Sequence, residues 1–233
     1  MKPDFSIIIP AYNEEHRIGN LLSQIPRRGG HFLFICDGSD STPAIVMKCA
    51  RSHPETDLRC LVYPHRLGKG GAVKEGFVNA DTAYVGFMDA DASTSVTQMV
   101  SLFEELGDAD CVVGSRWLPG SIVPERQGIA RRLESRGFNL LIRLLFGLSL
   151  TDTQCGAKVF KKSAIDAVIG EMAATGFEFD VELLWRLSMK GYTIKEYPIT
   201  WQNKGGSRVR GMDSFRMLKS LVSLRFSGGK EDG

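Results

Sequence analysis

Short apolar runs alternate with amphipathic stretches along the first half of the chain. Runs rich in valine, isoleucine, leucine and phenylalanine predict strands at residues 5–9, 32–36, 58–62, 83–88 and 110–114. Between them, apolar residues recur at helical spacing and predict helices at residues 14–25, 43–52, 72–80 and 95–106. Continuous apolar strands separated by helices are typical of a mostly parallel sheet that is covered on both faces. The pattern therefore predicts a three-layer α/β sandwich.

Two basic amphipathic stretches follow in the second half of the chain, near residues 128–148 and 213–226. In the first of them, leucines form a broad apolar stripe and arginines lie outside it. Basic amphipathic helices lie in the interface of a membrane, or they pack against the core of their own domain. Because no repeat or low-complexity linker divides the chain, we predict a single domain over residues 1–233 that carries two such interface helices.

The composition, with 43% hydrophobic and 24% charged residues, provides for a buried core in a globular protein. Five cysteines form no CxxC pair and only four histidines accompany them, so we expect reduced thiols rather than a disulfide framework or a zinc site. No apolar run approaches the ~20 residues that cross a bilayer, and the first residues lack the layout of a signal peptide. We therefore expect a cytoplasmic protein whose contact with a membrane comes from its surface.

The net charge is only +2, but the basic residues are unevenly distributed. Residues 126–143 contain five arginines against one glutamate, and residues 204–225 contain six basic residues against one aspartate. Such segments suit phosphates, an anionic membrane or nucleic acid, although long arginines can also simply solvate a helix face. Basic patches interleaved with aromatic residues, as single-strand binding requires, are missing, so we expect no nucleic-acid partner.

Three polar clusters follow predicted strands at the points where those strands end. They occupy residues 10–14 after the first strand, residues 37–40 after the second and residues 89–91 after the fourth. In open sheets of this kind, the ligand site lies beyond the carboxyl ends of the strands. We therefore expect the three clusters to converge on one site.

The third cluster contains two aspartates that suit a divalent cation. Asp89 and Asp91 are separated by two positions, so on an extended segment their carboxylates point to the same side. Carboxylate oxygens are preferred ligands of Mg²⁺ and Mn²⁺, and these ions usually keep positions for substrate phosphates. The alternative is structural, with Asp91 or Ser93 capping the helix that begins near Thr94.

Residues 65–76 (HRLGKGGAVKEG) form a glycine-rich segment that leads into a helix. Its backbone N–H groups, together with Lys69, suit a phosphate group. The spacing is not that of a P-loop. Glycines that allow a tight turn before a packed helix explain the segment equally well.

Together these segments resemble the family 2 glycosyltransferases of the GT-A type, and specifically the synthases of dolichyl-phosphate glucose and mannose. The resemblance covers nearly the whole chain, in the family's order. It rests on IIIPAYNEE (7–15), DGSDS (37–41), GKGGAVKEG (68–76), DADAS (89–93), GSR (114–116), TDTQCGAKVF (151–160) and FDVELL (179–184). The segment at 151–160 is closer to the glucose type than to the mannose type. Cys36 departs from the family, whose members more often carry an acid there, and this puts one nucleotide contact in question.

The resemblance implies a Rossmann-like GT-A fold and a hexosyltransferase that inverts the anomeric carbon. The implied donor is a nucleoside-diphosphate sugar, of the UDP-glucose type or GDP-mannose, and the implied acceptor is a polyprenyl (dolichyl-type) phosphate at the cytoplasmic face of a membrane. Asp89 and Asp91 would hold Mg²⁺ or Mn²⁺. The residues that the resemblance assigns to donor, cofactor and phosphate binding are Pro10, Tyr12, Glu14, Asp37, Lys69, Asp89, Ala90, Arg116, Arg131 and Arg208.

Four acids are candidates for the chemistry itself. Asp91 acts through the cation, which neutralises the charge that develops on the leaving nucleoside diphosphate. The resemblance places Asp152 beside the acceptor, where it acts as a base or orients the phosphate. Asp180 and Glu182, on a predicted helix, are the alternatives to Asp152. Asp152 can instead be structural, as a turn aspartate before a strand, and Glu182 can instead pair with an arginine.

Two other enzyme classes remain as alternatives at this point. A sugar nucleotidyltransferase also uses an α/β fold with metal-binding aspartates, but it needs a GxGxxR-type loop after the first strand, and the residues there read PAYNEE. A family 2 glycosyltransferase that acts on a saccharide often carries a QxxRW motif, which this sequence lacks. The sequence does not determine the sugar, the nucleotide base or the length of the lipid.

Overall fold

The computed structural model describes residues 4–27, 29–124, 129–202, 204 and 211–227. Its strands are β1 (Phe5–Ala11), β2 (His31–Cys36), β3 (Asp57–Val62), β4 (Tyr84–Phe87), β5 (Cys111–Ser115), β6 (Lys158–Lys161) and β7 (Ile194–Pro198). Its helices are α1 (Ile18–Leu22), α2 (Thr42–Ser52), α3 (Gly68–Val78), α4 (Val96–Glu104), α5 (Ile129–Phe146), α6 (Lys162–Asp166), α7 (Phe179–Met189) and α8 (Gly211–Ser227). A short 3₁₀ helix spans Ile169–Glu171. The first five strands lie where the sequence predicts them.

The seven strands form one sheet in the order β3-β2-β1-β4-β6-β5-β7. β1 pairs in parallel with β2 and β4, β2 with β3, and β5 with β7. β6 alone among these strands runs antiparallel to its neighbours, β4 and β5. The predicted mostly parallel α/β sheet is therefore confirmed. Because β6 is reversed, its first residues lie at the edge where the parallel strands end.

Both faces of the sheet are covered, as alternate residues of β1 show. Ile8 belongs to a buried cluster that includes Phe77 of α3 and Phe160 of β6. Its neighbours Ile7 and Ile9 belong to a second cluster on the opposite face. Every one of these side chains is fully buried. The two clusters give the three layers that the apolar pattern predicts.

α3 lies close against the sheet because Gly76 has no side chain. A Cβ atom at this position would lie 2.2 Å from Cγ2 of Ile8, well inside van der Waals contact. A larger residue would push the helix away from β1. The glycine therefore keeps α3 in close contact with β1.

Two predicted helix boundaries are wrong, and hydrogen bonds to residues distant in sequence explain both differences. α1 begins at Ile18 rather than at residue 14, because the backbone N–H of Glu15 donates to Asp40 Oδ2 (2.9 Å) outside the helix. α3 begins at Gly68 rather than at residue 72, because the Asp37 carboxylate accepts hydrogen bonds from the backbone at its start. The glycine-rich segment is thus the first turn of the helix itself.

The two amphipathic stretches form the helices α5 and α8, as predicted. α5 buries Ile142 and Phe146, and α8 buries Met217 and Leu221, all four in the cluster that contains Ile8. The helices pack against each other. Each stretch therefore contributes to the core of the protein, which was the alternative to a purely membrane-facing helix.

Other apolar side chains on the same helices face solvent. Leu140 and Leu144 of α5 are 56% and 75% exposed, and Phe226 of α8 is 72% exposed. Within the described part of the chain, no helix has the length and apolar character that crossing a bilayer requires. Any membrane contact of α5 would therefore involve these exposed leucines.

His31 ties three chain segments together at the amino edge of the sheet. Its Nδ1 lies 2.5 Å from Asp57 Oδ2 at the start of β3, and its Nε2 lies 2.8 Å from Asp4 Oδ1 before β1. Partial burial lowers the pKa of His31, but hydrogen bonds with the two carboxylates outweigh that effect and raise the pKa above its usual value of 6.5. The two carboxylates thus stabilise the imidazolium, which can donate from both nitrogens.

We expect the stabilising effect of His31 to depend on pH. Because the folded pKa is raised, the contribution is fully present below pH 6.5 and is lost as the pH rises through the folded pKa. Urea unfolding of the wild type and of His31→Gln, measured from pH 5 to 9, should therefore show the largest difference in stability at the acidic end. A difference that is constant across this range would contradict the assignment.

Candidate active site

The polar clusters after β1, β2 and β4 meet at one edge of the sheet, as predicted from topology. Asn13 Oδ1 accepts from the backbone N–H groups of Ser39 (2.8 Å) and Asp40 (3.3 Å). Asn13 has a left-handed backbone (φ 52°), and a Cβ at Gly38 would collide with it. The first two clusters are therefore held together by side-chain to backbone hydrogen bonds.

The second cluster is joined to the start of α3. Asp37 Oδ2 accepts from the backbone N–H groups of Leu67 (2.8 Å) and Gly68 (3.2 Å). The next N–H groups, of Gly70 and Gly71, donate to the carbonyl oxygen of Thr175 (2.8 and 3.3 Å). These four N–H groups already have partners within the protein, so the structure gives no support to a phosphate cradle built from them. The other part of this prediction, a phosphate contact from the Lys69 side chain, stays a prediction.

Four charged side chains form a continuous chain of contacts beside the third cluster. Lys69 Nζ lies 3.1 Å from Asp89 Oδ1 and 3.2 Å from Asp180 Oδ2. Lys158 Nζ lies 2.5 Å from Asp180 Oδ1 and 2.5 Å from the carbonyl oxygen of Cys155. Asp180 thus lies between two ammonium groups, and Lys69 lies between two carboxylates.

Burial and charge oppose each other in this chain of contacts. Burial lowers the pKa of Lys69, but the carboxylates of Asp180 and Asp89 outweigh it and raise the pKa. Burial likewise raises the pKa of Asp180, and the ammonium groups of Lys158 and Lys69 outweigh it and lower the pKa. Both groups are therefore charged at neutral pH. An aspartate held in this way is a poor proton acceptor.

Asp89 and Asp91 offer hard oxygen atoms at the same edge. The Asp89 side chain is 41% exposed. Asp91 Oδ1 accepts from the backbone N–H of Ser93 (2.9 Å), while the following helix α4 is capped by Ser95 instead. The described residues contain no group of three ligands that encloses a metal ion. Two carboxylates nevertheless fit Mg²⁺ or Mn²⁺, since these ions keep other positions for water and phosphate oxygens.

Asp89 occupies space that only a glycine leaves open. A Cβ atom at Gly156 would lie 1.9 Å from Asp89 Oδ2. Gly156 belongs to the segment before β6, which reaches the carboxyl edge because β6 runs antiparallel to β4. The missing side chain at Gly156 therefore determines where the Asp89 carboxylate lies.

Arg116, which follows β5, is fixed by Asp152. Its backbone N–H and Nε donate to Asp152 Oδ2 (3.0 and 2.7 Å), and its Nη2 donates to Oδ1 (2.9 Å). Burial lowers the pKa of Arg116, and the charge of Asp152 outweighs it and raises the pKa. Glu196 of β7 in turn accepts from the backbone N–H groups of Thr151 (2.8 Å) and Asp152 (3.0 Å). Both oxygens of Asp152 are thus used to hold the guanidinium.

Those of the other predicted site residues whose side chains the structure describes lie at the same edge. The buried Glu14 carboxylate pairs with Arg17 (2.7 Å). Arg66 lies 4.2 Å from the ring centre of Tyr12. Pro10 lies one residue before the end of β1, in register with Ile35, and Ala90 is buried between the two aspartates. Arg131 is placed in α5 without a described side chain, and Arg208 lies outside the described residues.

Sequence reasoning missed three side chains of this edge. Lys158 is fully buried, Glu196 holds the segment before β6, and Trp201 lies under Arg116, 5.6 Å from its guanidinium carbon. Lys158 left a signal in the sequence, because a lysine inside the apolar run AKVF must find a partner when the strand is buried.

Burial raises the pKa of Cys155, near Lys158, to about 12, so this thiol stays protonated and is no nucleophile.

Comparison with known proteins agrees with this geometry. The model of glycosyl transferase family 2 matches residues 6–169. The glycosyltransferase AglD of Haloferax volcanii is 31% identical over 219 residues, which are 88% of this chain and 34% of AglD. The dolichyl-phosphate beta-glucosyltransferases of Saccharomyces cerevisiae and Homo sapiens are 29% and 26% identical, and each alignment covers about 95% of this chain (95% and 94%) and 74% of the relative. The chain thus spans about a third of AglD and three quarters of the other two.

Solved structures share the fold at low sequence identity. The mannosyltransferase PcManGT of Pyrobaculum calidifontis, in complex with GDP-Man and Mn²⁺, superposes with a TM-score of 0.67 at 20% identity, over 100% of this chain and 66% of its own. Glucosyl-3-phosphoglycerate synthase of Mycobacterium tuberculosis, in complex with Mn²⁺, UDP and its product, gives 0.68 at 19% identity, over 97% and 79%. The predicted GT-A fold is therefore confirmed.

We expect Gly156→Ala to lower the free energy of unfolding by about 1–3 kcal/mol, because the added methyl group and the Asp89 carboxylate cannot keep their positions together. Gly170→Ala is the matched control, since nothing lies within 4 Å of the Cβ added there. In an Asp89→Ala background the same Gly156→Ala change should cost much less, because its collision partner is gone. Urea unfolding of these variants measures the costs. Equal losses in the two backgrounds would show that Asp89 does not determine the requirement for glycine.

Proposed function

The chain belongs to glycosyl transferase family 2, and we propose that it transfers a hexose from a nucleoside-diphosphate sugar to a polyprenyl phosphate of the dolichyl type. The observation that carries this proposal is a pair of partly buried and fixed cations, Lys69 and Arg116, at the same edge of the sheet as the carboxylates of Asp89 and Asp91. A transfer between two phosphate-bearing substrates requires cations on both sides of the reacting centre. The names of the relatives support the lipid acceptor.

The donor half of the site has the residues for a sugar nucleotide. In this proposal Asp91 and Asp89 hold Mg²⁺ or Mn²⁺ against the diphosphate, and the ion neutralises the charge of the leaving group when it is bound. Lys69 contributes a further positive charge near Asp89. Tyr12 and Asp37 lie at the adjacent strand ends and are assigned to the nucleoside. Their partners Arg66 and the start of α3 keep both side chains in place.

The acceptor half is assigned to Arg116, with Asp152 as the residue that orients it. A phosphate oxygen is already anionic near neutral pH, so it needs positioning more than it needs a base. Guanidinium suits bidentate phosphate binding, and the contact with Asp152 leaves the Nη1 side of Arg116 available for a ligand. Attack by this oxygen on the anomeric carbon expels the nucleoside diphosphate and inverts the carbon in a single displacement. Arg131 and Arg208 are assigned to the same phosphates.

We further assign UDP-glucose as the donor in preference to GDP-mannose. The segment at 151–160 resembles the glucose-type synthases, and several relatives are named dolichyl-phosphate beta-glucosyltransferases. The reaction is assigned to the cytoplasmic face of a membrane, where sugar nucleotides are available. Nucleic acid has no part in this proposal.

A panel of nucleotide sugars with a polyprenyl phosphate tests the function. We expect UDP-glucose to give the fastest release of nucleoside diphosphate together with a glycosylated lipid, detected by mass spectrometry. Excess EDTA and the variant Asp91→Asn should each reduce turnover at least 100-fold, with an unchanged urea midpoint for the variant. Undiminished turnover in EDTA would contradict the metal assignment. Transfer to free saccharides in preference to the lipid would contradict the proposed acceptor.

We also propose that α5 and α8 bring the site to the lipid by adsorption to the bilayer surface. Leu140 and Leu144 expose apolar area on α5, and Val222 and Phe226 do so on α8. Arg143 and other exposed basic residues of these helices add attraction to anionic lipids, about 1 kcal/mol for each basic residue near the surface. Apolar area combined with positive charge is the combination that interfacial helices use.

Replacing Leu140 and Leu144 with serine should weaken binding to anionic vesicles at least threefold without unfolding the protein, because both side chains are mostly exposed. Val78→Ser together with Met189→Ser is the matched control, since these exposed apolar residues lie on other helices. Co-sedimentation with vesicles, with and without anionic lipid and at two salt concentrations, measures the binding. Equal binding by both double variants would exclude α5 as the docking surface.

A further inference from the structure

Lys158 is a fully buried charged side chain at the carboxyl edge, with a relative exposure of 0%. Its ammonium group contacts Asp180 Oδ1 and the carbonyl oxygen of Cys155, each at 2.5 Å, and lies 5.2 Å from the ring centre of Phe87. No substrate can touch a side chain with this burial. Burying a lysine is costly unless its charge is paired, so its presence requires a reason.

The partner of Lys158 shows what that reason is. Asp180 uses its two oxygens for two different lysines, Oδ1 for Lys158 and Oδ2 for Lys69. Lys69 in turn reaches Asp89, whose side chain is 41% exposed in the proposed donor site. The contacts therefore run from the buried strand β6, through α7, to the first turn of α3 and then to the donor site. The ring of Phe87 packs against both ammonium groups on their buried side.

We propose that Lys158 is a positioning residue that, through Asp180, presents the Lys69 ammonium to the diphosphate of the donor. The proposal rests on the proposed function, since it takes a sugar nucleotide as the ligand of the site. Asp180 is then the connecting group and not an acid or base of the reaction. Lys158 touches neither substrate nor cation.

Charge balance explains why the second lysine is needed. With Lys69 as its only partner, Asp180 would hold that ammonium group against α7, because a buried carboxylate has no other source of compensation. Lys158 satisfies the other oxygen, so Lys69 is shared with Asp89 rather than being held by Asp180 alone. With Lys158 present, the four charges of Asp89, Lys69, Asp180 and Lys158 sum to zero. An anionic diphosphate is therefore not repelled by a net negative wall.

A volume-matched double variant separates positioning from stability. Lys158→Met alone leaves one oxygen of the buried Asp180 carboxylate without its cation and should destabilise the protein, whereas Lys158→Met with Asp180→Leu removes both charges and should fold with wild-type-like stability. We expect the folded double variant to bind UDP in the presence of Mn²⁺ at least tenfold more weakly in titration calorimetry, and its kcat/KM for the nucleotide sugar to fall by a similar factor. Lys195→Met with Glu105→Gln, which removes a surface ion pair, is the control and should change neither value.

Adding Lys69→Met completes the test. In the wild-type background Lys69→Met should weaken UDP binding at least tenfold, and in the double variant it should add less than twofold, because the positioning path already fails. Wild-type affinity for UDP in the double variant, or full additivity of Lys69→Met, would overturn the proposal. The proposed function fails separately: a wild type that binds UDP with Mn²⁺ but transfers no sugar to a polyprenyl phosphate contradicts the acceptor and leaves the Lys158 result intact.

Discussion

The reversed direction of β6 is the constraint on which the site depends. Parallel strands bring only their carboxyl ends to one edge, so β1, β2, β4 and β5 can supply residues there only from the loops that follow them. β6 lies between β4 and β5 and runs antiparallel to both, so its amino end reaches that edge. The preceding segment, residues 151–157, therefore enters the middle of the site. Asp152, Gly156 and Lys158 all owe their positions to this one reversal.

Electrostatic balance then decides what each charged residue can do. Asp152 and Asp180 are both buried acids, and each is bound on its two oxygens by basic side chains. Both acids are occupied in holding cations, and in the proposed function Arg116 and Lys69 bind the anionic groups of the substrates. This suits a reaction in which the nucleophile already carries its negative charge. In the proposed function the buried acids orient the cations, and the partly exposed Asp89 and Asp91 hold the metal ion.

The sequence predicted the sheet, both amphipathic helices and the convergence of three polar clusters, because these follow from apolar periodicity and from the geometry of parallel strands. It did not predict the start of α3, because the N–H groups there bond to Asp37 and to the carbonyl of Thr175, about 30 and 105 residues away in sequence. It missed Glu196 for the same reason, since its partners Thr151 and Asp152 lie in a distant segment. Contacts between residues remote in sequence leave no local pattern.

Asp180 and Lys158 are 22 residues apart in sequence and share one buried contact. A change at either position alone leaves the buried cluster with an unbalanced charge, whereas a joint change to apolar residues does not. The two positions are therefore expected to change together, because a protein with only one of the two charged residues is less stable than a protein with both or with neither. Among descendants of a common ancestor, the two positions should therefore be inherited and lost together, and their joint presence or absence would divide the family into lineages more sharply than either residue does by itself.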